Sequence, residues 1–181
     1  VELLLCSFWH LITGHAMQVT NIQDQILQHW KSVANRRNGL PSRKDFRLQD
    51  LGKNALDIVV VDIKTDPTDF TYRLIGSNVA ENLSENFTGK SLSSIPGKGP
   101  KSQIWANMKA ARDEKKPLLR EAPYVGSNEK QKMLQTLYLP LASDHQNPDK
   151  LMLVPSFPPK RKMALFSAPP QITAQEARPF N

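Results

Sequence analysis

Ile58-Val59-Val60-Val61-Asp62-Ile63 and Phe70-Thr71-Tyr72-Arg73-Leu74-Ile75, with Asp66-Pro67-Thr68-Asp69 between them, decide how this chain is read. Both runs are rich in β-branched and aromatic residues, which suit a pleated, half-buried surface. The segment between them carries proline and aspartate, the chemistry of a turn. Two antiparallel strands of one hairpin are therefore predicted. A lone hairpin is marginal in water, so it needs partners from elsewhere in the chain. Three more strand-like runs lie downstream, at 119–125, 133–142 and 151–157, with turns at Gly126-Ser127-Asn128 and Asn147-Pro148-Asp149.

Between the hairpin and these strands the pattern changes to helix. Ser77 is placed to cap an irregular helical patch over 77–92, where Val79, Leu83 and Phe87 recur at helical spacing. Pro96, Gly97, Gly99 and Pro100 then break the chain. A clear helix is predicted over 102–116, with Ile104, Trp105, Met108 and Ala111 on one face, Lys115 and Lys116 suiting its C-terminal dipole and Pro117 stopping it. Upstream of the hairpin, Thr20 and Gln23 form a capping box for a helix with Ile22, Ile26, Leu27, Trp30 and Val33 on one face. Its end is expected at the polar stretch Asn35-Arg36-Arg37-Asn38-Gly39, and an extended linker, Leu40-Pro41-Ser42-Arg43, follows. The order is helix, two strands, helical middle, three strands. It predicts an α+β domain built on a five-stranded antiparallel sheet.

The totals add bounds. A length of 181 residues suits one domain with appended ends. The single cysteine, Cys6, excludes an internal disulfide and any cysteine-built zinc site, and His10, His15, His29 and His145 have no metal-ligand spacing. No metal is expected, and a reducing cytoplasm fits. The net charge of +7 comes from two places: residues 101–120 carry six basic and two acidic side chains, and residues 158–181 carry four and one. Basicity thus belongs to one helix and one tail, not to a fold built around nucleic acid.

Residues 1–19 are expected to be an N-terminal extension: the apolar run up to Ala16 is shorter than the roughly 20 residues a membrane span needs, and Glu2 stands where a signal peptide carries positive charge. Residues 20–157 are expected to form the domain. Residues 158–181 read as a proline-rich, basic, disordered tail. Gly89-Lys90-Ser91 has the end of a P-loop, but Ser84 occupies the position of its first glycine. No Gly-x-Ser-x-Gly elbow and no Ser, His and Asp set offers nucleophilic chemistry, so an enzyme is not expected.

The residues also carry a likeness. His29-Trp30-Lys31, Leu40-Pro41-Ser42-Arg43-Lys44-Asp45, Val60-Val61-Asp62-Ile63, Phe70-Thr71-Tyr72-Arg73-Leu74-Ile75-Gly76 and Thr88-Gly89-Lys90-Ser91-Leu92 follow one another in an order that resembles short stand-alone bacterial PAS-like proteins, from about Ile22 to Phe157. Arg47-Leu48 departs from that pattern where an Asp-Pro pair is expected, and Pro155 interrupts the last strand.

The resemblance implies a PAS-like five-stranded antiparallel sheet with an N-terminal helix, and central helices on one face. It implies a sensory or protein-interaction module that binds a small ligand or an unknown protein partner and signals in trans. Flavin photochemistry in that superfamily needs a pocket cysteine, and haem needs an axial ligand near the central helices; Cys6 lies outside the domain and no histidine falls between His29 and His145. No cofactor is expected. A cavity of that fold is expected to place Ile104, Trp105 and Met108 in its lid and Tyr72, Leu74, Tyr124 and Tyr138 in its wall, which suits a small, largely apolar ligand. Strand alternation sets Arg73 opposite Tyr72 and Leu74, so Arg73 either pairs with Asp62 across the hairpin or orients a ligand carboxylate. A filled core acting as a structural adaptor and a basic nucleic-acid-associated protein are the alternatives. The apolar face of the first helix is expected to pack on its own sheet or on a second subunit, with a homodimer favoured.

Overall fold

The computed structural model describes residues 18–124 and 133–157. The expected extension up to Ala16, the tail over 158–181 and the turn at Gly126-Ser127-Asn128 lie outside the described residues. Strands β1 (Val59–Thr65), β2 (Thr68–Ile75), β3 (Leu118–Pro123), β4 (Met133–Leu141) and β5 (Lys150–Ser156) form one antiparallel sheet in the order β2-β1-β5-β4-β3. With its helices this makes a mixed α+β domain. The last strand sits in the middle, between the hairpin and the β3–β4 pair.

Helix α1 (Asn21–Arg37) opens on the expected capping box: Gln23 N donates to Thr20 Oγ1 and Thr20 N donates to Gln23 Oε1. Gln23 does more than cap, because its Nε2 also donates to Val154 O on β5 at 2.9 Å. The helix ends on Asn38, whose φ of 50° makes it, and not Gly39, the left-handed residue. Gly39 is demanded by space instead, since a Cβ there would lie 2.6 Å from His145 O. A 3-10 turn at Arg43–Asp45, the short helix α2 (Leu48–Leu51), where Arg47 pairs with Asp50 at 2.9 Å, and a 3-10 stretch at Gly52–Asp57 lead into the sheet.

The hairpin is tighter than its sequence suggests. Thr68 and Asp69 belong to β2, and only Asp66 and Pro67 turn. The register runs regularly from Thr65↔Thr68 to Val61↔Tyr72, then jumps to Val60↔Leu74, so Arg73 is the extra residue of a bulge. A bulge resets side-chain alternation by one position. Leu74 therefore does not share a face with Tyr72: Tyr72 is 5% exposed and Leu74 is 37% exposed. Arg73 is exposed, and the ion pair expected between it and Asp62 does not form, since Asp62 stands opposite Thr71 and meets Lys150 Nζ at 3.3 Å.

Three prolines stand in strands, and each lies where a neighbour is missing. Pro123 is in the edge strand β3. Pro140 lies two residues past Tyr138, the last β4 residue paired to β3, and Pro155 lies two past Leu153, the last β5 residue paired to β1. A residue without an N–H is tolerated where no strand waits for it, so Pro155 lets β5 continue to Ser156.

Of the helical patch only α3 (Ser77–Ala80) is helix, with a 3-10 turn at Leu92–Ser94 further on. Gly76, not Ser77, occupies its N-cap position. Val79, Phe87 and Leu92 are nevertheless buried. Helix α4 (Gln103–Glu114) is capped by Ser102 Oγ, which accepts from Trp105 N at 3.3 Å, and ends on the left-handed Lys115, two residues before Pro117.

Both faces of the sheet are covered. Tyr138, Leu151 and Leu153 join Val61, Phe70, Tyr72, Trp105, Met108 and Ala111 on the side of the central helices. Their neighbours Leu137, Leu139, Met152 and Val154 join Ile26, Trp30, Leu40 and Phe46 on the side of α1. This explains the unbroken apolar runs of β4 and β5: strands buried on both faces lose the apolar–polar alternation of a half-exposed strand. It also buries the apolar face of α1 against its own sheet.

Gly76 closes the hairpin against the segment before it. Its N–H donates to Ile58 O at 2.9 Å, and a Cβ there would lie 2.3 Å from Leu56 O. Backbone atoms are on both sides of that clash. Gly76→Ala is expected to lose about 1–3 kcal/mol of stability, the usual cost of overpacking a tight site, read as a lower denaturant midpoint at unchanged m-value.

Candidate functional site

Ile95, Lys98 and Gly99 are held by successive short-range backbone bonds: Ile95 N to Leu92 O, Lys98 N to Ile95 O and Ser102 N to Gly99 O. Gly97 adopts a φ of 76°. The segment therefore winds tightly between the 3-10 turn and α4, and it carries Lys98 inward. A cavity of about 340 Å³ lies there, between this segment, α3, the first turn of α4 and the sheet.

The sheet contributes Val59, Tyr72, Ala122, Pro123, Leu134, Thr136, Tyr138, Leu153 and Pro155 to the wall. Val79 and Leu83 close one side, Tyr124 and Phe157 another, and Lys98, Ser102, Gln103 and Ile104 a third. Tyr124 and Phe157 meet edge to face at 6.1 Å, and the Tyr124 hydroxyl donates to Asn82 O.

Of the residues expected at a cavity, Tyr72, Ile104, Tyr124 and Tyr138 are brought together on it. Leu74 is turned away by the bulge at Arg73. Trp105 and Met108 lie on the part of α4 that faces the core: Trp105 packs edge to face on Phe70 at 5.1 Å, and Met108 is fully buried. A helix turns by about 100° per residue, so Ile104 reaches the cavity and its neighbour Trp105 does not. Arg73, exposed on β2, is no polar contact for this space.

The polar groups form two sets. In the first, Gln103 Nε2 donates to Asn107 Oδ1 at 2.9 Å, and Asn107 Nδ2 donates to Glu121 O at 3.0 Å and to Tyr138 Oη at 3.5 Å. Asn107 is 3% exposed, and this chain runs from the cavity rim to a buried hydroxyl. Burial pushes the Tyr138 hydroxyl up, against the bonds to Asn107 and Thr136, so it stays protonated.

In the second, Lys98 is 5% exposed and its Nζ donates to Tyr72 Oη at 3.3 Å. The Tyr72 and Phe87 rings stack at 6.0 Å, and the ammonium lies 4.3 Å from the Phe87 centroid and 5.3 Å from that of Tyr72. Burial lowers the Lys98 ammonium from 10.5 to about 8, with Glu85 acting the other way, and burial raises the Tyr72 hydroxyl. Among the described residues no carboxylate forms an ion pair with Lys98; Glu85 pairs with Lys90 at 2.6 Å.

Lys98 escapes a sequence reading because Pro96-Gly97-Lys98-Gly99-Pro100 looks only like a break in the chain. Its one signal is a lysine set between two glycines, where only the backbone is free to bend.

Three of the six basic side chains over 101–120 are ion-paired with the two acids of that stretch. Lys109 and Arg112 both pair with Asp113 at 2.7 Å, and Lys116 pairs with Glu114 at 2.9 Å. Among the described residues no group of His, Cys, Asp and Glu is placed to hold a metal, and no helix is long and apolar enough to cross a membrane.

Comparison with family models matches residues 17–154 to one described as a PAS domain. No curated protein and no solved structure matches the chain.

Proposed function

The chain belongs to the PAS domain family, and from that premise we propose that it is a sensory module whose cavity takes a small, largely apolar ligand and reports its presence to a protein partner. PAS domains are generally sensory or interaction modules and not enzymes. The observation that carries the reading is the cavity itself. At about 340 Å³ it falls within the usual range of small-molecule sites, and it combines apolar walls with a few convergent polar groups. The hydroxyls of Tyr72, Tyr138 and Thr136 provide orientation, while Val79, Leu83, Ile104 and Leu153 provide area.

The test uses a ligand retained through purification, read by native mass spectrometry, and a thermal melt with and without added small acids, amides and alcohols. A ligand at a hundred times its Kd is expected to stabilise the fold by about 2.7 kcal/mol. Ala122 is 5% exposed on the cavity wall, so Ala122→Trp is expected to fill the space and abolish that shift. A protein that retains nothing, and whose melt no compound moves, rejects the ligand reading and leaves a module acting through its surface.

A further inference from the structure

Lys98 is costly where it stands. An ammonium taken out of water into an apolar cavity loses far more hydration than a single hydrogen bond to a neutral hydroxyl restores. Ring faces recover part of that loss, and Phe87 and Tyr72 supply two of them. Yet a structural lysine has no need of this position, since a methionine of similar length fills the same space without the charge.

The geometry of its partner is also informative. Lys98 has three N–H donors and no acceptor, and Tyr72 Oη receives one of them. The Tyr72 hydroxyl keeps its own hydrogen to donate elsewhere. Ammonium and hydroxyl thus stand 3.3 Å apart where two sides of the cavity meet, and both can donate to a single acceptor.

We infer that the cavity is built for a small monocarboxylic acid, with Lys98 Nζ and Tyr72 Oη holding the carboxylate and the apolar wall of Val79, Leu83 and Leu153 holding the body of the molecule. The inference rests on the ligand-sensing reading above and narrows it to a charge and a chemical class. One buried cation matches one negative charge. A phosphate monoester brings nearly two at neutral pH, and the other cation on the lining, Lys101, stands exposed at the rim and not buried beside Lys98.

Octanoate, phenylacetate, their primary amides and octyl phosphate are the probes, titrated by calorimetry into the wild-type protein and into Lys98→Met. In the wild type each acid is expected to bind at least about tenfold tighter than its amide, the range of a hydrogen bond to a charged group, and octyl phosphate more weakly than octanoate. Lys98→Met is expected to bring acid and amide to equal affinity, the acid losing more than the amide, and amide binding that remains measurable shows that the cavity is intact. Lys98→Arg is expected to restore part of the preference. Equal binding of acid and amide by the wild type overturns the anchor and leaves the cavity reading standing. A preference that survives Lys98→Met, or octyl phosphate binding tighter than octanoate, overturns it as well. Failure of all five probes overturns the anchor, and the cavity reading falls with it only if no ligand is retained through purification either.

Discussion

Trp30→Ala is expected to lower the stability of the domain by about 3–5 kcal/mol, the usual cost of truncating a buried aromatic side chain. Trp30 is 7% exposed and packs with Ile26, Phe46, Leu139 and Met152 between α1 and the sheet. Its Nε1 donates to Pro140 O at 2.9 Å, at a point of β4 that β3 no longer reaches. The alanine leaves a cavity and an unpaired carbonyl together. Because domains are stable by only about 5–15 kcal/mol in total, the variant is expected to unfold at a much lower urea concentration. Trp30→Phe separates the two effects, since it keeps most of the volume and loses the bond, at about 1 kcal/mol for a neutral hydrogen bond. An unchanged midpoint for Trp30→Ala refutes this packing. A loss that shrinks as protein concentration rises moves the indole into a contact between two copies.

The second large effect has the opposite sign. Lys98→Met is expected to stabilise the ligand-free protein at pH 7, and the gain is expected to fade as pH rises. The ammonium's pKa is depressed in the fold, from 10.5 to about 8. Between those values the unfolded chain holds a proton that the folded chain has released, so wild-type stability rises with pH across that window relative to the variant. A shift of that size corresponds to about 3 kcal/mol, and loss of the contacts to Phe87 and Tyr72 reduces the net gain. Tyr72 on β2, Tyr138 on β4, Tyr124 just past β3, Lys101 at the rim and Glu85 with Lys90 are the other titratable groups around the cavity, and both proteins share them. The difference between the two proteins, from melts at pH 7 and pH 9.5, therefore isolates Lys98. A variant less stable than the wild type at pH 7 refutes the burial cost.

A residue that destabilises the protein that carries it is a common mark of a binding site. The two predictions divide the domain accordingly. Trp30 holds α1 to its sheet, and Lys98 spends part of that stability on a charge inside the opposite face.

Much of the fold was legible in the residues. The Thr20–Gln23 capping box, the hairpin at 58–75, the α4 face of Trp105, Met108 and Ala111, and the element order all rest on contacts within a few positions of one another. Such contacts are written in spacing and propensity. The candidate site was legible only in part. Tyr72, Ile104, Tyr124 and Tyr138 were expected at a cavity and line one, whereas Trp105 and Met108, read as one helix face with Ile104, turn into the core. Leu74 was misplaced because one extra residue, Arg73, reverses alternation, and no propensity marks where a bulge falls.

The sequence by itself determined the five strands, the two long helices, their order and the family likeness, since each depends on short-range periodicity and on motifs that survive without neighbours. Tertiary structure alone decided that β5 enters between β1 and β4, that α1 and α4 take opposite faces, and that Lys98 meets Tyr72 across 26 positions of chain. Those outcomes depend on which distant surfaces are buried together. Burial energy is set by area and not by distance along the chain, so a lysine between two glycines reads as a loop until the sheet closes over it.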